Sequence, residues 1–264
     1  MIGEKVHWYE NLQCTPQEML GRIMDVEDCK KLVSRQMLNY NGGQTEKSLR
    51  TLWVQEPEHK ATASYGSPWG FYTGMDSIYR YYVESFQKEL GKHEGVSLFR
   101  AVNTPVVFLA GDGKTAQGMF LMSGEETWEK QDGTVEALHI YGRVAVDFIR
   151  EKEGWRIWHW VDIYQMTNPV GEDIAQSSVT KLPEERVFRP KFMAASPDIP
   201  MVTHFPEYHD TDGWPQYPSA HETYDLDHSY GPEGHPGLQE NVTDVNWAMR
   251  MALNKAWGRT VKQG

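Results

Sequence analysis

Four polar residues that can move protons lie at alternate positions of one β-rich segment. In the stretch 134–151, His139, Tyr141, Arg143 and Asp147 share a face if the strand is regular, because side chains alternate across a strand. A histidine exchanges protons near neutral pH, a tyrosine donates to a developing oxyanion, and an arginine offers a fixed positive fork. A carboxyl group in an apolar cavity can stay protonated and donate. This catalytic set suits proton abstraction or elimination without a cofactor.

The opposite face of the same segment is apolar. It is formed by Leu138, Ile140, Val144, Val146 and Phe148. If the polar row lines a cavity, the apolar row faces outward and needs cover from a second subunit or from the C-terminal part of the chain. If the polar row is a wet outer face, the sheet is an ordinary half-buried one. We take the first alternative as the working hypothesis and predict a homo-oligomer, most simply a dimer.

Six further residues are candidates for substrate binding. They are Tyr40, Tyr65, Trp69, Tyr72, Arg100 and His159. Tyr40 ends the apolar stripe of a predicted helix, a position that suits core packing and cavity lining equally. The rings at 65–72 lie in a Gly/Pro-rich loop that can shape a pocket mouth or pack against a neighbour. His159 lies in the last predicted strand, where a lone histidine is more often structural than catalytic.

The sequence contains no recognisable metal or cofactor motif. Five histidines lie between 204 and 235 among several aspartates, without HxH, HExxH or EF-hand spacing. We therefore predict no metal site there, and a lid that contributes one His or Tyr instead. Cys14 and Cys29 form neither a zinc framework nor a disulfide scaffold. Because phosphate-binding loops and GxSxG are also missing, we predict no cofactor.

The predicted elements change from helices to strands along the chain. Thr15 to Glu18 is a capping box that begins a helix, and a second helical stretch with one apolar face runs from about Val26 to Asn41. Shorter helices are predicted at 45–54 and 76–90. The β-rich runs that follow, separated by glycine turns, are 96–102, 105–110, 115–128, 134–151 and 155–164. This order predicts an α+β fold with helices on one face of a curved antiparallel sheet.

Three motifs resemble one known family in their order and spacing. They are the glycine-punctuated segment 66–78, the hairpin Thr104-Pro105-Val106-Val107 with Gly111-Asp112-Gly113, and the closing set Gly142-Arg143, Asp147 and Gly154-Trp155-Arg156-Ile157. Together they resemble the SnoaL-like branch of the nuclear-transport-factor-2-like (NTF2-like) superfamily. The resemblance implies a cone: a bent sheet wrapped around N-terminal helices, an NTF2-like α+β barrel with a deep apolar cavity.

The resemblance also implies roles for single residues. Asp147 resembles the cavity aspartate of the steroid isomerases, and Tyr40-Asn41 resembles the Tyr-Asp pair of scytalone dehydratase with an amide in place of the acid. The histidine pair frequent in the family is missing near Arg100. The general-base aspartate of the steroid isomerases is missing near Tyr65. A plain steroid isomerase or scytalone-type mechanism is therefore not expected.

Composition limits the classes of partner. The 264 residues carry a formal net charge of −11, which disfavours nucleic acid and anionic membranes. The sequence lacks a signal-peptide pattern and an apolar run of membrane-spanning length, so we expect a cytoplasmic protein. We divide the chain into an N-terminal arm and helix at 1–25, a SnoaL-like domain at 26–166 and an extension at 167–264 that wraps the core.

These observations converge on small-molecule chemistry. The leading hypothesis is a cofactor-independent lyase, dehydratase or isomerase that acts on a bulky aromatic or polycyclic apolar compound by acid-base catalysis. The alternative is a non-catalytic binding or assembly protein of the same fold. Titratable groups inside the cone favour the enzyme, whereas an interior filled with side chains favours the alternative.

Overall fold

The helices come first along the chain. The computed structural model describes residues 14–67, 70–88, 97–130, 132–173, 196–200, 218, 224–225 and 229–232. The helical elements are α1 (Pro16–Asn41), α2 (Thr45–Thr51), α3 (Pro57–Thr62), α4 (Met75–Tyr79) and a π-helix (Arg80–Gln87). The π-helix continues α4 directly, so the predicted fourth helix has two different windings.

Helix α1 begins where the capping box predicts. The Thr15 hydroxyl accepts from the Glu18 amide at 3.3 Å, and the Glu18 carboxylate accepts from the Thr15 amide at 2.7 Å. The helix ends at Asn41, followed by Gly42. The predicted division near residue 26 is wrong, because one continuous helix of 26 residues spans both stretches. An internal glycine, Gly21, lowers helix propensity without breaking the hydrogen-bond ladder.

The strands form one seven-stranded mixed sheet. They are β1 (Ser64–Ser67), β2 (Gly70–Thr73), β3 (Leu98–Leu109), β4 (Thr115–Glu129), β5 (Val135–Glu151), β6 (Gly154–Pro169) and β7 (Ile199–Pro200), in the order β3-β4-β5-β6-β1-β2-β7. The predicted antiparallel meander is confirmed in β3 to β6. Two predictions are wrong: the loop at 64–73 contains β1 and β2, and β1 pairs with β6 in parallel, with Ser64 opposite His159.

Helices α1, α2 and α4 and the π-helix pack on the inner face of the sheet. The apolar row of β5 lies in this core: Leu138, Ile140, Val144, Val146 and Phe148 are all buried with residues of α1 and the π-helix. The working hypothesis on the polar row is therefore wrong, because burial of the branched and aromatic side chains against the helices turns His139, Tyr141, Arg143 and Asp147 to the opposite face. The expected need for a second subunit assumed that the apolar row of β5 faces outward, and this row faces the helices instead. Homo-oligomerisation stays a prediction.

The outer face is partly covered by segments that follow β6. A second apolar cluster joins Phe71, Met119, Ala145 and Val161 of the sheet to Tyr230. Strand β7 extends the sheet at β2. The outer face of β5 is therefore buried near Ala145, whereas Tyr141 of the same face is 41% exposed. The domain boundaries at 25 and 166 stay predictions, although β6 runs on to Pro169.

One acidic residue of the segment 196–200 forms hydrogen bonds with β2, α4 and the π-helix. Asp198 accepts from the Thr73 amide at 2.8 Å, from the Ser77 hydroxyl at 2.5 Å and from Arg80 Nη2 at 3.1 Å. Burial alone would raise the pKa of Asp198, but these hydrogen bonds and the charge of Arg80 outweigh it and lower the pKa below its ordinary value. Asp198 is thus bound in its ionised form.

None of the helices in the described ranges combines the length and the apolar character needed to cross a bilayer.

Candidate active site

A buried arginine lies on the inner face between two carboxylates. The side chains of Arg100, Glu126 and Asp162 are 4%, 0% and 2% exposed. The Arg100 guanidinium donates from Nε to Glu126 Oε1 at 2.5 Å and from Nη2 to Glu126 Oε2 at 3.1 Å. Nη1 donates to Asp162 Oδ2 at 2.8 Å, and Nη2 also donates to the Tyr164 hydroxyl oxygen. One guanidinium thus connects β3, β4 and β6.

Strand register and one side-chain amide position this group. Arg100 lies opposite Gly124, and Asp162 lies opposite Val144, an inner-core residue. At the end of α1, Asn41 Nδ2 donates to the Arg100 carbonyl at 2.9 Å, and Asn41 Oδ1 accepts from the Arg100 amide at 2.9 Å. The Asn41 amide pairs with this backbone as a neighbouring strand would. It fixes β3 to α1 at the residue that carries the guanidinium.

Aromatic side chains donate to both carboxylates. The donors are Tyr40 to Glu126 Oε1 at 2.9 Å, Trp128 to Glu126 Oε2 at 2.7 Å, Tyr65 to Asp162 Oδ2 at 2.9 Å and Trp160 to Asp162 Oδ1 at 2.7 Å. With the bonds from Arg100, Glu126 accepts four hydrogen bonds and Asp162 accepts three. Buried acidic groups need such partners, and both acids have them here.

The protonation states of the donors follow from burial. Burial raises the pKa of the Tyr40, Tyr65 and Tyr164 phenols well above the ordinary value, so they remain protonated at neutral pH. For Arg100, burial lowers the pKa, but the negative charge of Glu126 and other neighbours outweighs it and raises the pKa. One cation beside two carboxylates leaves the cluster with one excess negative charge. We call Arg100, Glu126, Asp162, Tyr40, Tyr65 and Tyr164 the inner cluster.

Rings of the π-helix pack around the inner cluster. Tyr81 stacks on Tyr65 with ring centroids 4.9 Å apart and on Tyr72 at 4.5 Å, and Phe86 stacks on Tyr40 at 5.2 Å. All five rings are buried. π-Helical turns are rare and frequently occur at functional sites. Here Tyr81 and Phe86 of the π-helix stack on Tyr65 and Tyr40, the two phenols that donate to the carboxylates.

A second buried polar pair lies on the outer face. His159 Nδ1 is 2.8 Å from Asp147 Oδ2, and His159 Nε2 is 3.0 Å from the Thr62 carbonyl oxygen. Both ring nitrogens thus lie within hydrogen-bond distance of an oxygen atom. Asp147 also accepts from Gln117 Nε2 at 2.9 Å and from the Tyr230 amide at 2.6 Å. These contacts connect α3, β4, β5 and β6 with Tyr230.

Among the described residues, one group has the composition of a metal site. Oxygen or nitrogen atoms of Glu56, His59 and Glu151 lie within 4.8 Å of one another. Glu151, however, accepts from the Gln55 amide at 2.9 Å, from the Glu56 amide at 2.9 Å and lies 3.1 Å from His59 Nδ1. Its carboxylate thus satisfies the free amides at the start of α3. The histidines predicted to form no metal site lie outside the described residues.

The sequence matches the SnoaL-like domain family over residues 21–161, more than half of the 264 residues. The chain belongs to the SnoaL-like family. The resemblance to the SnoaL-like family that the three motifs predicted is confirmed, and the helices and the sheet confirm the predicted α+β fold. No curated protein matches this SnoaL-like chain.

Solved structures with a similar fold have low sequence identity. An NTF2-like protein with a cystatin-like fold from Novosphingobium aromaticivorans is 15% identical, with 65% of this chain and 100% of that chain covered and a TM-score of 0.40. The hexachlorocyclohexane dehydrochlorinase LinA-type3 from Novosphingobium barchaimii is 13% identical, with 60% and 97% covered and a TM-score of 0.44. An NTF2-like superfamily protein from Salmonella enterica is 18% identical, with 58% and 99% covered and a TM-score of 0.40. These similarities concern the fold alone.

The structure of this SnoaL-like domain separates the predicted site residues into two groups. Tyr40, Tyr65 and Arg100 meet on the inner face, with Tyr72 stacked beside them. The other predicted residues that the structure describes lie on the outer face: His139, Tyr141, Arg143, Asp147 and His159. His139 Nδ1 is 3.1 Å from the exposed carboxylate of Glu125. Trp69 lies outside the described residues.

The sequence reasoning missed both acids of the inner cluster. Glu126 lies in β4 and Asp162 in β6, each two residues from a tryptophan on the same face. A carboxylate within the otherwise apolar face Trp158, Trp160, Asp162 and Tyr164 was the available signal. The role of this carboxylate becomes clear only from its contact with Arg100, which is 62 residues away from Asp162 in the sequence.

Proposed function

We propose that this SnoaL-like protein is a cofactor-independent lyase, dehydratase or isomerase that performs acid-base chemistry at the inner cluster on a bulky aromatic or polycyclic small molecule. Membership of the SnoaL-like family supports a protein that processes small molecules. The main observation in favour of acid-base chemistry is the buried carboxyl group of Asp162, which accepts hydrogen bonds from a phenol, an indole and a guanidinium among stacked rings. Titratable groups in an aromatic interior suit proton transfer better than plain storage.

Asp162 is the better proton acceptor of the two acids. Glu126 makes a two-point contact with Arg100, whereas Asp162 meets the guanidinium through one oxygen. Because two-point pairing engages both oxygens of Glu126, this residue serves as the counterion of Arg100. Asp162 also accepts one hydrogen bond fewer. We therefore assign the role of proton acceptor to Asp162 and not to Glu126.

The reaction then proceeds by proton transfer at carbon. Asp162 removes a proton: a substrate C–H bond breaks, an O–H bond forms on the carboxyl group, and the electron pair passes into a conjugated system or expels a leaving group. As Asp162 becomes neutral, its negative charge moves to the substrate, close to the Arg100 guanidinium. The proton returns from Asp162 to another carbon in an isomerisation, or to the leaving group in an elimination.

Solvent exchange tests this proposal without knowledge of the product. Aromatic and steroid-like compounds are first selected by thermal stabilisation of the protein. They are then incubated with enzyme in deuterated water, and mass spectrometry measures deuterium incorporation and turnover. We expect Asp162→Asn to lower the exchange rate by about two to four orders of magnitude, the range for a positioned proton-transfer group.

The catalytic residues predicted from the sequence, which lie on the outer face, provide a comparison within the same experiment. His139, Tyr141, Arg143 and Asp147 remain the sequence-based proposal for the catalytic set, and His139→Ala removes its predicted base. If His139→Ala abolishes exchange while folded Asp162→Asn retains it, the chemistry belongs to the outer face and the present proposal is wrong. If selected ligands bind tightly but neither exchange nor turnover occurs, the binding-protein alternative is correct.

A further inference from the structure

We infer that the C-terminal segment 241–257 packs as an amphipathic helix on the part of the outer face of the sheet that the described residues leave exposed. The segment lies outside the described residues. The inference rests on the surface that it covers, on the place where the described chain ends and on the sequence of the segment. It concerns the outer face and is independent of the chemistry proposed for the inner cluster.

One end of the outer face is exposed and rich in apolar side chains. Along β5, Ala145 is fully buried, whereas Tyr141 is 41% and Val135 is 59% exposed. On the neighbouring strands, Leu121 of β4 is 43% and Phe99 of β3 is 57% exposed on the same face. We call the surface formed by Phe99, Leu121, Val135 and Tyr141 the open area. Exposed apolar surface shared by three strands indicates a contact surface.

The buried part of the outer face borders the open area directly. Tyr230 packs in the same cluster as Ala145, and the partly buried Ile163 packs against that cluster. Ile163 lies opposite Arg143, which is the next outer-face position of β5 after Tyr141. The described part of the later segment ends at residue 232, two residues after Tyr230. The chain therefore leaves the buried part of the face beside the open area.

The chain that follows residue 232 has the length needed to cover the open area. Between residues 143 and 135, β5 extends about 26 Å, at roughly 3.3 Å per residue. A helix over 241–257 is about 26 Å long, at roughly 1.5 Å per residue. The connection 233–240 spans up to about 26 Å in extended form, so the helix can begin at either end of the open area.

The sequence of this segment predicts a helix with one apolar face. Its apolar residues recur at steps of three and four positions: Val245, Ala248, Met249, Ala252, Leu253 and Ala256. Gly258 follows as a helix stop. An apolar helix face and an apolar sheet face are stable when they bury each other.

Charge favours the same contact. Residues 241–264 include four basic side chains and one acidic side chain, although the whole chain has a formal net charge of −11. The rest of the protein is therefore strongly acidic and attracts a basic segment. One such acid, Glu125, is 67% exposed and lies opposite Phe99 in the open area.

A thiol placed in the open area tests the inference in the full chain. Leu121→Cys is combined with Cys14→Ser, and Cys29 is buried, so a maleimide reports on the new thiol. Leu38→Cys in the same background gives a reference rate, because Leu38 is 71% exposed on α1. We expect Leu121→Cys to react at least about tenfold more slowly than Leu38→Cys, since it reacts only when the segment opens. This ratio should stay constant over about a hundredfold range of protein concentration.

Adjacent residues of the predicted helix supply the variant and its control. Leu253→Glu places a charge in the apolar face and should raise the labelling rate of Leu121→Cys at least about tenfold, because burial of one leucine favours the docked state by about that factor. Asn254→Glu adds the same charge on the opposite side of the helix and should leave the rate unchanged. Met249→Glu repeats the test at a second apolar position. Labelling of Cys29 identifies any variant that unfolds.

Four results would overturn the inference. Equal labelling rates of Leu121→Cys and Leu38→Cys in the otherwise unchanged chain would show that the open area is uncovered. Protection that is lost on dilution would assign the area to a second copy of the chain. No effect of Leu253→Glu and Met249→Glu would mean that another segment covers it. An equal effect of Asn254→Glu would trace the change to added charge and not to the apolar face.

Discussion

Replacement of Arg100 by methionine should remove a large part of the stability of the domain. Arg100→Met keeps much of the side-chain volume but leaves Glu126 and Asp162 buried without their cation. Removal of one partner from a buried ion pair costs about 3–5 kcal/mol, because the remaining charge stays desolvated. Two acids lose their partner here, so we expect the upper end of that range. A typical domain has a free energy of unfolding of about 5–15 kcal/mol.

A series of compensating variants separates charge from packing. Addition of Glu126→Gln and Asp162→Asn to Arg100→Met removes the two uncompensated charges and should restore most of the lost free energy. Urea unfolding followed by tryptophan fluorescence at pH 7 measures each free energy, with the slope as a check of two-state behaviour.

Two results would refute the reasoning. A loss below about 1 kcal/mol for Arg100→Met would mean that the carboxylates are solvated or already protonated, since an exposed ion pair contributes about that much. A triple variant as unstable as Arg100→Met would show that the guanidinium stabilises through packing, by its stacking over Tyr40 at 4.8 Å and Tyr164 at 5.2 Å.

Three further predictions concern other parts of the chain. Burial raises the pKa of the Cys29 thiol far above its ordinary value, so we expect a thiol reagent to label Cys14 in the native protein and Cys29 only after unfolding; rapid labelling of two thiols would contradict this. A Cβ at Gly142 would lie 2.1 Å from a carbonyl oxygen of β6, so Gly142→Ala should cost about 3 kcal/mol or more in urea unfolding, whereas Gly21→Ala, which meets no atom within 4 Å, should gain about 0.5–1 kcal/mol. The pKa of Asp198 is lower in the folded state, so its contribution to the free energy of unfolding is present above the unfolded pKa of about 4 and is lost as pH falls through the folded pKa. In Asp198→Asn the free energy of unfolding should therefore depend less on pH in this acid range. Parallel pH profiles of the variant and the wild type would disprove the assignment.

Local signals predicted the regular part of the fold. The capping box at Thr15 and Glu18 and the glycine turn at 111–113 act within a few residues, and both have the predicted result. The short strands β1 and β2 depend on β6 and β7 for their partners. Their Gly-rich sequence therefore reads as a loop until the distant strands are known.

Strand alternation identified the two faces of β5 but could not say which one is inside. In many antiparallel sheets the apolar face is buried and the polar face is exposed to solvent. This rule fails here because both faces carry buried residues: Val146 packs against the helices, and Asp147 is buried by Gln117 and Tyr230. Tyr40 and Arg100 were found as single residues, whereas the inner cluster exists only through contacts across 26 or more positions, such as Arg100 with Glu126 and Tyr40 with Glu126. Such contacts leave no periodic trace in one sequence.

The hydrogen bond from Tyr230 to Asp147 has a consequence for the order of events during synthesis. The donor follows the acceptor by 83 residues, and at about 5–20 residues per second the ribosome needs roughly 4–17 s to cover that distance. During this interval the meander can form while Asp147 and His159 still face water on the outer side of the sheet. Because Ala145 and Val161 of the same face also pack against Tyr230, the nascent chain presents an incompletely covered sheet until Tyr230 is made. A stop or pause before residue 230 therefore yields a domain whose helical side is finished and whose outer side remains open to other chains.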